Sequence, residues 1–196
     1  MTDPRLASPD DLAPAAETLA QAFAHYPWTR HVIPEEGYAE RLLTLQQLYL
    51  AHAYRHGVVA VTEDRDGVIA LLPPDAPDAD DDAVEQIVAL HGDRIGRLAD
   101  GSPPHDGWTL ETLGVRPAAQ GRRLGSSLLV FALAEAGRRG ARAVRLETSD
   151  ERNVRLYERH GFHVTGRRDH PDGPPVWDMQ FDEMEVDDMG AHTRTT

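Results

Sequence analysis

The stretch from Trp108 to Thr148 most constrains what this chain can fold into. Trp108 to Val115 has the composition and length of a strand, and Pro117 to Gly121 forms a tight loop. A long apolar helix, about Arg122 to Arg138, starts where that loop ends, and Gly140 closes it. Ala143 to Thr148 follows as a second strand. Alternating strands and helices of this kind argue a layered domain with some parallel pairing. The fold class is therefore α/β, or mixed α+β, with some parallel pairing.

The flanking segments supply the rest of one layered domain. Ser8-Pro9-Asp10-Asp11 reads as a helix start, and apolar residues recur at Leu12, Ala15, Ala16, Leu19 and Phe23 until Pro27 ends the pattern. A second helix spans about Tyr38 to Tyr54. Gly57 to Val61 and Val68 to Leu72 flank an Asp-Gly turn and predict a hairpin. Pro73 to Asp82 is a Pro- and Asp-rich loop, Ala83 to Leu98 a helix, and Asp100 to Gly107 a second loop. A short helix, Asn153 to His160, and strands Phe162 to Gly166 and Val176 to Phe181 complete the domain, residues 1–182. Residues 183–196 are expected to form a disordered acidic and polar tail. The length of 196 residues suits a single domain.

Composition excludes several chemistries. With no cysteine, the chain has no disulfide, thiolate nucleophile or cysteine-bound zinc. His52 and His56 have metal-ligand spacing on a helix, but no third ligand accompanies them, so no metal is expected. No apolar run is long enough to span a membrane, and the start lacks a leader-like pattern, so a cytoplasmic protein without a membrane partner is expected. A formal charge of −13 disfavours nucleic acid as a partner. The charge is unevenly spread: residues 116–168 hold 12 arginines and 5 acids, and the remainder 8 arginines and 28 acids. The basic segment suits solvated helix faces or a site for a phosphorylated ligand.

Gln120-Gly121-Arg122-Arg123-Leu124-Gly125 joins a strand to a helix N-terminus. Unpaired amides and the helix dipole favour an anion there, and glycine lets it approach the backbone. No Gly-Lys-Ser/Thr or Gly-x-Gly-x-x-Gly pattern is present.

The run from Leu113 through Gly114, Val115, Gln120, Gly121, Arg122, Arg123, Leu124 and Gly125 to Ser126 resembles the acetyl-CoA motif of GNAT acetyltransferases. Arg123 stands where that pattern has its middle glycine. Leu146 to Ser149, then Arg152-Asn153 and Tyr157 to Phe162, resemble the second strand–helix unit of the family. The resemblance implies a twisted mixed sheet of about six to seven strands flanked by helices. It implies acetyl-CoA as acyl donor, bound by the loop, by the backbones of Leu113 and Val115, and by Asn153. Asn153 suits a helix N-cap equally well.

Acetyl transfer to an amine requires a base, an acid for the leaving thiolate, and stabilisation of the oxyanion. The resemblance places the acid at Tyr157 and offers Glu111 and Glu147 as alternative bases. Strand alternation puts Glu111 on one face with Thr109 and Leu113. Tyr26, His31 and Trp108 are candidates for an aromatic acceptor pocket. The implied acceptor is a small-molecule amine, such as an aminonucleoside antibiotic. Acetylation of a protein N-terminus or lysine, a non-catalytic acetyl-CoA sensor, and a homodimer all remain open.

Overall fold

The computed structural model describes residues 3–98 and 106–182. The expected tail, residues 183–196, and most of the loop preceding Trp108 lie outside them. The elements are β1 (Arg5–Leu6), α1 (Leu12–Phe23), α2 (Pro27–Val32), α3 (Tyr38–His56), β2 (Val58–Val61), β3 (Gly67–Leu72) and α4 (Asp81–His91), followed by β4 (Trp108–Val115), α5 (Leu124–Arg138), β5 (Ala143–Thr148), α6 (Glu151–Glu158), β6 (His163–Arg168) and β7 (Val176–Asp182). The strands form one seven-stranded mixed sheet in the order β1-β2-β3-β4-β5-β7-β6. Among the described residues, only β4 and β5 pair in parallel, while the other neighbours are antiparallel.

Two elements escape sequence patterning. β1 has only two residues, too few to show a period. α2 begins at Pro27, which ends the α1 pattern and also occupies the first turn of the next helix, where its missing N–H costs nothing. The helix expected over residues 83–98 is α-helical from Asp81 to His91 and 3-10 from Gly92 to Leu98. α5 starts at Leu124 and α6 at Glu151, each two residues from its expected start.

Helices cover both faces of the sheet. On one face, Leu128, Leu129, Ala132 and Ala136 of α5, with Val154 and Tyr157 of α6, pack on Ile69, Leu71, Leu110, Val144 and Leu146. On the other, α1 and α3 cover Val59, Val61, Val68 and Ala70. Gly114 lets α1 lie close against β4: a Cβ there would stand 2.7 Å from Leu19 Cδ2 and 3.1 Å from the Ala22 Cβ.

The fully buried Asp11 ties three segments together. Its carboxylate accepts two hydrogen bonds from Arg5 on β1, at 2.7 and 2.9 Å, and one from Arg65 Nε in the β2–β3 turn, at 2.6 Å. It also accepts from the amide and hydroxyl of Ser8. Hydrogen bonding from Arg5 leads the causes that hold its pKa far below the ordinary aspartate value. Asp11→Ala should destabilise the fold by about 2–3 kcal/mol, because it removes charge-assisted hydrogen bonds and strands their donors. The check is the shift in urea midpoint. Since the folded pKa is lowered, this stabilisation is complete above the unfolded value of about 3.9 and disappears as the pH falls through the folded value.

Candidate active site

β4 and β5 pair only at Trp108–Val144 and Thr109–Arg145. β5 then pairs with β7 along its whole length, while β4 stays with β3, so the two parallel strands part like a wedge. A cleft of about 970 Å³ opens there. Its lining includes Tyr26, Trp28 and Thr29, Tyr49 of α3, the segment from Leu72 to Ala79, the parting strands, and Asn153 and Tyr157 of α6.

A β-bulge shapes the floor. Ala70 pairs with Thr112 and Leu71 with Leu110, which leaves Glu111 as the extra residue on β4. The bulge shifts the alternation by one. Leu113 therefore packs with Leu110 in the α5-side core, while Gly114 faces α1. Glu111 and Leu113 thus do not share the face that simple alternation assigns them. Glu111 instead lies in the cleft near Tyr49.

The two candidate bases differ in their surroundings. Arg168 bonds both Glu147, at 2.9 Å, and Asp178, at 3.0 Å. Glu111 has no hydrogen-bond or ion-pair partner among the described residues. Its side chain is open to the cleft yet set deep within the protein wall, so cleft water reaches it while most of its surroundings are protein. Desolvation, and then repulsion from Glu147, push its pKa up to about 7. Burial, with Glu111 adding repulsion, likewise raises the Tyr49 phenol to about 12.

The end of β5 carries a hydrogen-bond network. Tyr26 Oη accepts from the Ser149 amide at 2.7 Å and lies 3.0 Å from Thr148 Oγ1. Asn153 Nδ2 donates to the same Thr148 oxygen at 3.3 Å. The N-cap of α6 is Asp150, whose side chain accepts from the Arg152 amide, so Asn153 is not the cap. Tyr157 is buried on the core side of α6, with its ring 5.5 Å from Phe162, and still borders the cleft. Burial, followed by the nearby Tyr26, raises its pKa and keeps the phenol protonated. The hydroxyls of Thr112 and Ser149, also in the cleft wall, are buried without a hydrogen-bond partner among the described residues.

Beyond β4, a 3-10 turn over Pro117–Ala119 leads into the loop. Gln120 Nε2 donates back to the Val115 carbonyl at 3.1 Å. Gly121 has φ +80°, and Arg123 has φ +64° in the left-handed region. Arg123 therefore adopts at the usual glycine position the backbone conformation that glycine favours. Gly121, Arg122 and Arg123 are exposed, and Leu124, Gly125 and Ser126 form the partly exposed first turn of α5.

Two expected pocket residues sit elsewhere. Trp108 belongs to the α5-side core and is not among the cleft residues. His31 packs beside Trp28 and His170, with ring centroids 5.7 and 6.4 Å away. Burial leads the causes that lower its pKa. Trp28, next to the expected Tyr26, does line the cleft, as do Tyr49, Arg145 and the segment from Leu72 to Ala79. Sequence reasoning did not single out Tyr49, because its approach to Glu111 depends on how α3 docks.

The seven-stranded mixed sheet flanked by helices, with a glycine-containing loop before α5, is the architecture that the motif resemblance implied. The chain belongs to the acetyltransferase (GNAT) family, whose model matches residues 21–162. A Corynebacterium glutamicum structure described as histone acetyltransferase HPA2 and related acetyltransferase superposes with a TM-score of 0.75 at 26% identity, covering 95% of this chain and 99% of its own. A mosquito arylalkylamine N-acetyltransferase-like protein gives a TM-score of 0.59 at 18% identity, over 92% and 99% of the two chains. The Escherichia coli ribosomal-protein-S18-alanine N-acetyltransferase gives 0.53 at 18%, over 97% and 100%. The protein is an acetyl-CoA-dependent N-acetyltransferase.

The conformation of Arg123 has a measurable consequence. Arg123→Gly should keep thermal stability, since glycine adopts φ +64° without strain. Arg123→Val should lower stability by about 1–2 kcal/mol, because a β-branched residue is least tolerated there. Paired thermal melts of the two variants check this.

Proposed function

We propose that this enzyme transfers the acetyl group of acetyl-CoA directly to the primary amine of a small molecule, with Glu111 as base and Tyr157 as acid. The observation that carries this reading is a carboxylate in the cleft floor with no cation to hold it ionised, poised to titrate near neutrality.

The chain's own groups fit acetyl-CoA. The loop from Gln120 to Ser126 offers two exposed guanidinium groups and the amides of the first turn of α5 to phosphate oxygens. At Gly121 even an added Cβ would meet nothing within 4 Å, so the approach is open. The β5-facing edge of β4, including Leu113, Gly114 and Val115, lacks a strand partner and suits the amide-bearing arm. The Thr112 hydroxyl on β4, and Asn153 and the Ser149 hydroxyl across the cleft, add polar groups, the two hydroxyls having no hydrogen-bond partner among the described residues. When bound, acetyl-CoA supplies the thioester carbon and a thiolate leaving group.

Glu111 takes the proton from the incoming ammonium, directly or through one cleft water, and frees the nitrogen lone pair. Burial makes this carboxylate more basic than an ordinary glutamate. Tyr157, kept neutral by its surroundings, holds the proton that the thiolate requires. Glu147 is fixed by Arg168 and acts on Glu111 through its charge. Tyr26, Trp28 and Tyr49 provide aromatic surface for the acceptor.

The sequence around Ala22 to His31, Trp108 to Val115, Glu147 to Ser149 with Arg152-Asn153, and Gly173 to Trp177 resembles puromycin N-acetyltransferase, which makes an aminonucleoside the first acceptor to assay. Much faster acetylation of a basic or N-terminal peptide than of any small amine would overturn the acceptor class.

Because a base works deprotonated, kcat/KM should rise with pH through a midpoint near 7, the Glu111 value. Glu111→Gln should remove that limb and lower turnover by about 10²–10⁴-fold. An unchanged pH profile in this variant would assign the base elsewhere. Tyr157→Phe should lose turnover on a similar scale while retaining CoA affinity, as measured by calorimetry.

A further inference from the structure

Arg145 stands in the cleft floor without a counter-ion. Its neighbours Val144 and Leu146 point into the α5-side core, so Arg145 and Glu147 face the cleft. Arg145 pairs in register with Thr109 on β4 and Gln180 on β7, neither of which carries a charge. Its Nε is sealed from solvent and has no hydrogen-bond partner, and no ion pair involves its guanidinium among the described residues. The nearby carboxylates do not neutralise it. Glu147 and Asp178 are both held by Arg168. Glu111 lies two residues past Thr109, about 7 Å further along β4, where the strands have begun to part. Repulsion from Glu147 acts on it, and no cation offsets that repulsion.

One cleft therefore holds an unpaired carboxylate and, separately, an unpaired guanidinium. A partly desolvated guanidinium is costly without an acceptor for its planar fork of donors. The groups that match that fork are carboxylate and phosphate. Resting on the acceptor reading above, we propose that the acceptor is an amine that also bears a carboxylate or phosphate, and that Arg145 binds this anionic group while the amine lies at Glu111. Such an acceptor complements both charges at once. A purely cationic acceptor would bring its charge into the field of Arg145.

Two matched acceptor pairs test this: 4-(aminomethyl)benzoate against benzylamine, and puromycin 5′-phosphate against puromycin. Binding is measured by calorimetry with CoA present, and acetyl transfer by thiol release, on the full chain. In the wild type, the anionic member of at least one pair should bind about 10- to 100-fold more tightly, the range of a lost charge-assisted contact. The effect should fall on KM rather than kcat, and the responding pair identifies carboxylate or phosphate as the source. Arg145→Gln should reduce the anionic-to-neutral ratio to within about twofold, and Arg145→Lys should restore part of it. Equal binding of both members by the wild type, or a ratio preserved in Arg145→Gln, overturns the proposal. Arg145-dependent binding without acetyl transfer would sustain the anion site and refute the catalytic reading. Transfer without any anion preference would do the reverse.

Discussion

The brevity of the β4–β5 pairing is the constraint on which the rest of this structure depends. Two residue pairs hold the parallel strands together, and then each strand is claimed by a different antiparallel neighbour. Full pairing would fill the centre of the sheet and leave no room for a ligand. With the strands parted, a cleft opens between them that Asn153 and Tyr157 of α6 help to line. The helices on either face stabilise this opening by burying Leu128, Leu129 and Tyr157 on one side and Leu19 and Leu50 on the other.

The charges in and around the cleft fall into two kinds. Arg168 binds Glu147 and Asp178. Glu111 and Arg145 have no such partners among the described residues. Desolvating a charge without a partner is expensive, and this is why the proposals rest on Glu111 and Arg145. Asp11 is the contrast within the same molecule: it is more deeply buried, yet Arg5, Arg65 and Ser8 satisfy it, and its role is structural.

Much of the fold was legible because its signals are local. β4 and β5 match their expected limits to the residue, since runs of apolar and β-branched residues bounded by glycine and proline depend only on neighbours along the chain. The hairpin of β2 and β3 and the long helix α5 were legible for the same reason. β1 and α2 were not, being too short for any period to emerge. Of the candidate site, the glycine loop and Tyr157 were proposed from motif resemblance. The distinction between Glu111 and Glu147 could not be drawn, because it rests on Arg168, which is 21 residues from Glu147 along the chain and reaches it only through the β6–β7 edge.

The sequence by itself determined the family, the order of the longer strands and helices, and the loop that precedes α5, because each is written in contiguous residues. Tertiary structure alone decided which way those residues face. A single bulge at Glu111 turned Leu113 into the core, and docking of α5 placed Trp108 beneath the sheet rather than in the pocket. Arg123 shows the division within one residue: its identity departs from the family pattern, but its backbone keeps the left-handed conformation that the turn requires. The physical reason is that periodicity fixes which residues can be buried, whereas pairing register and helix docking fix what they are buried against.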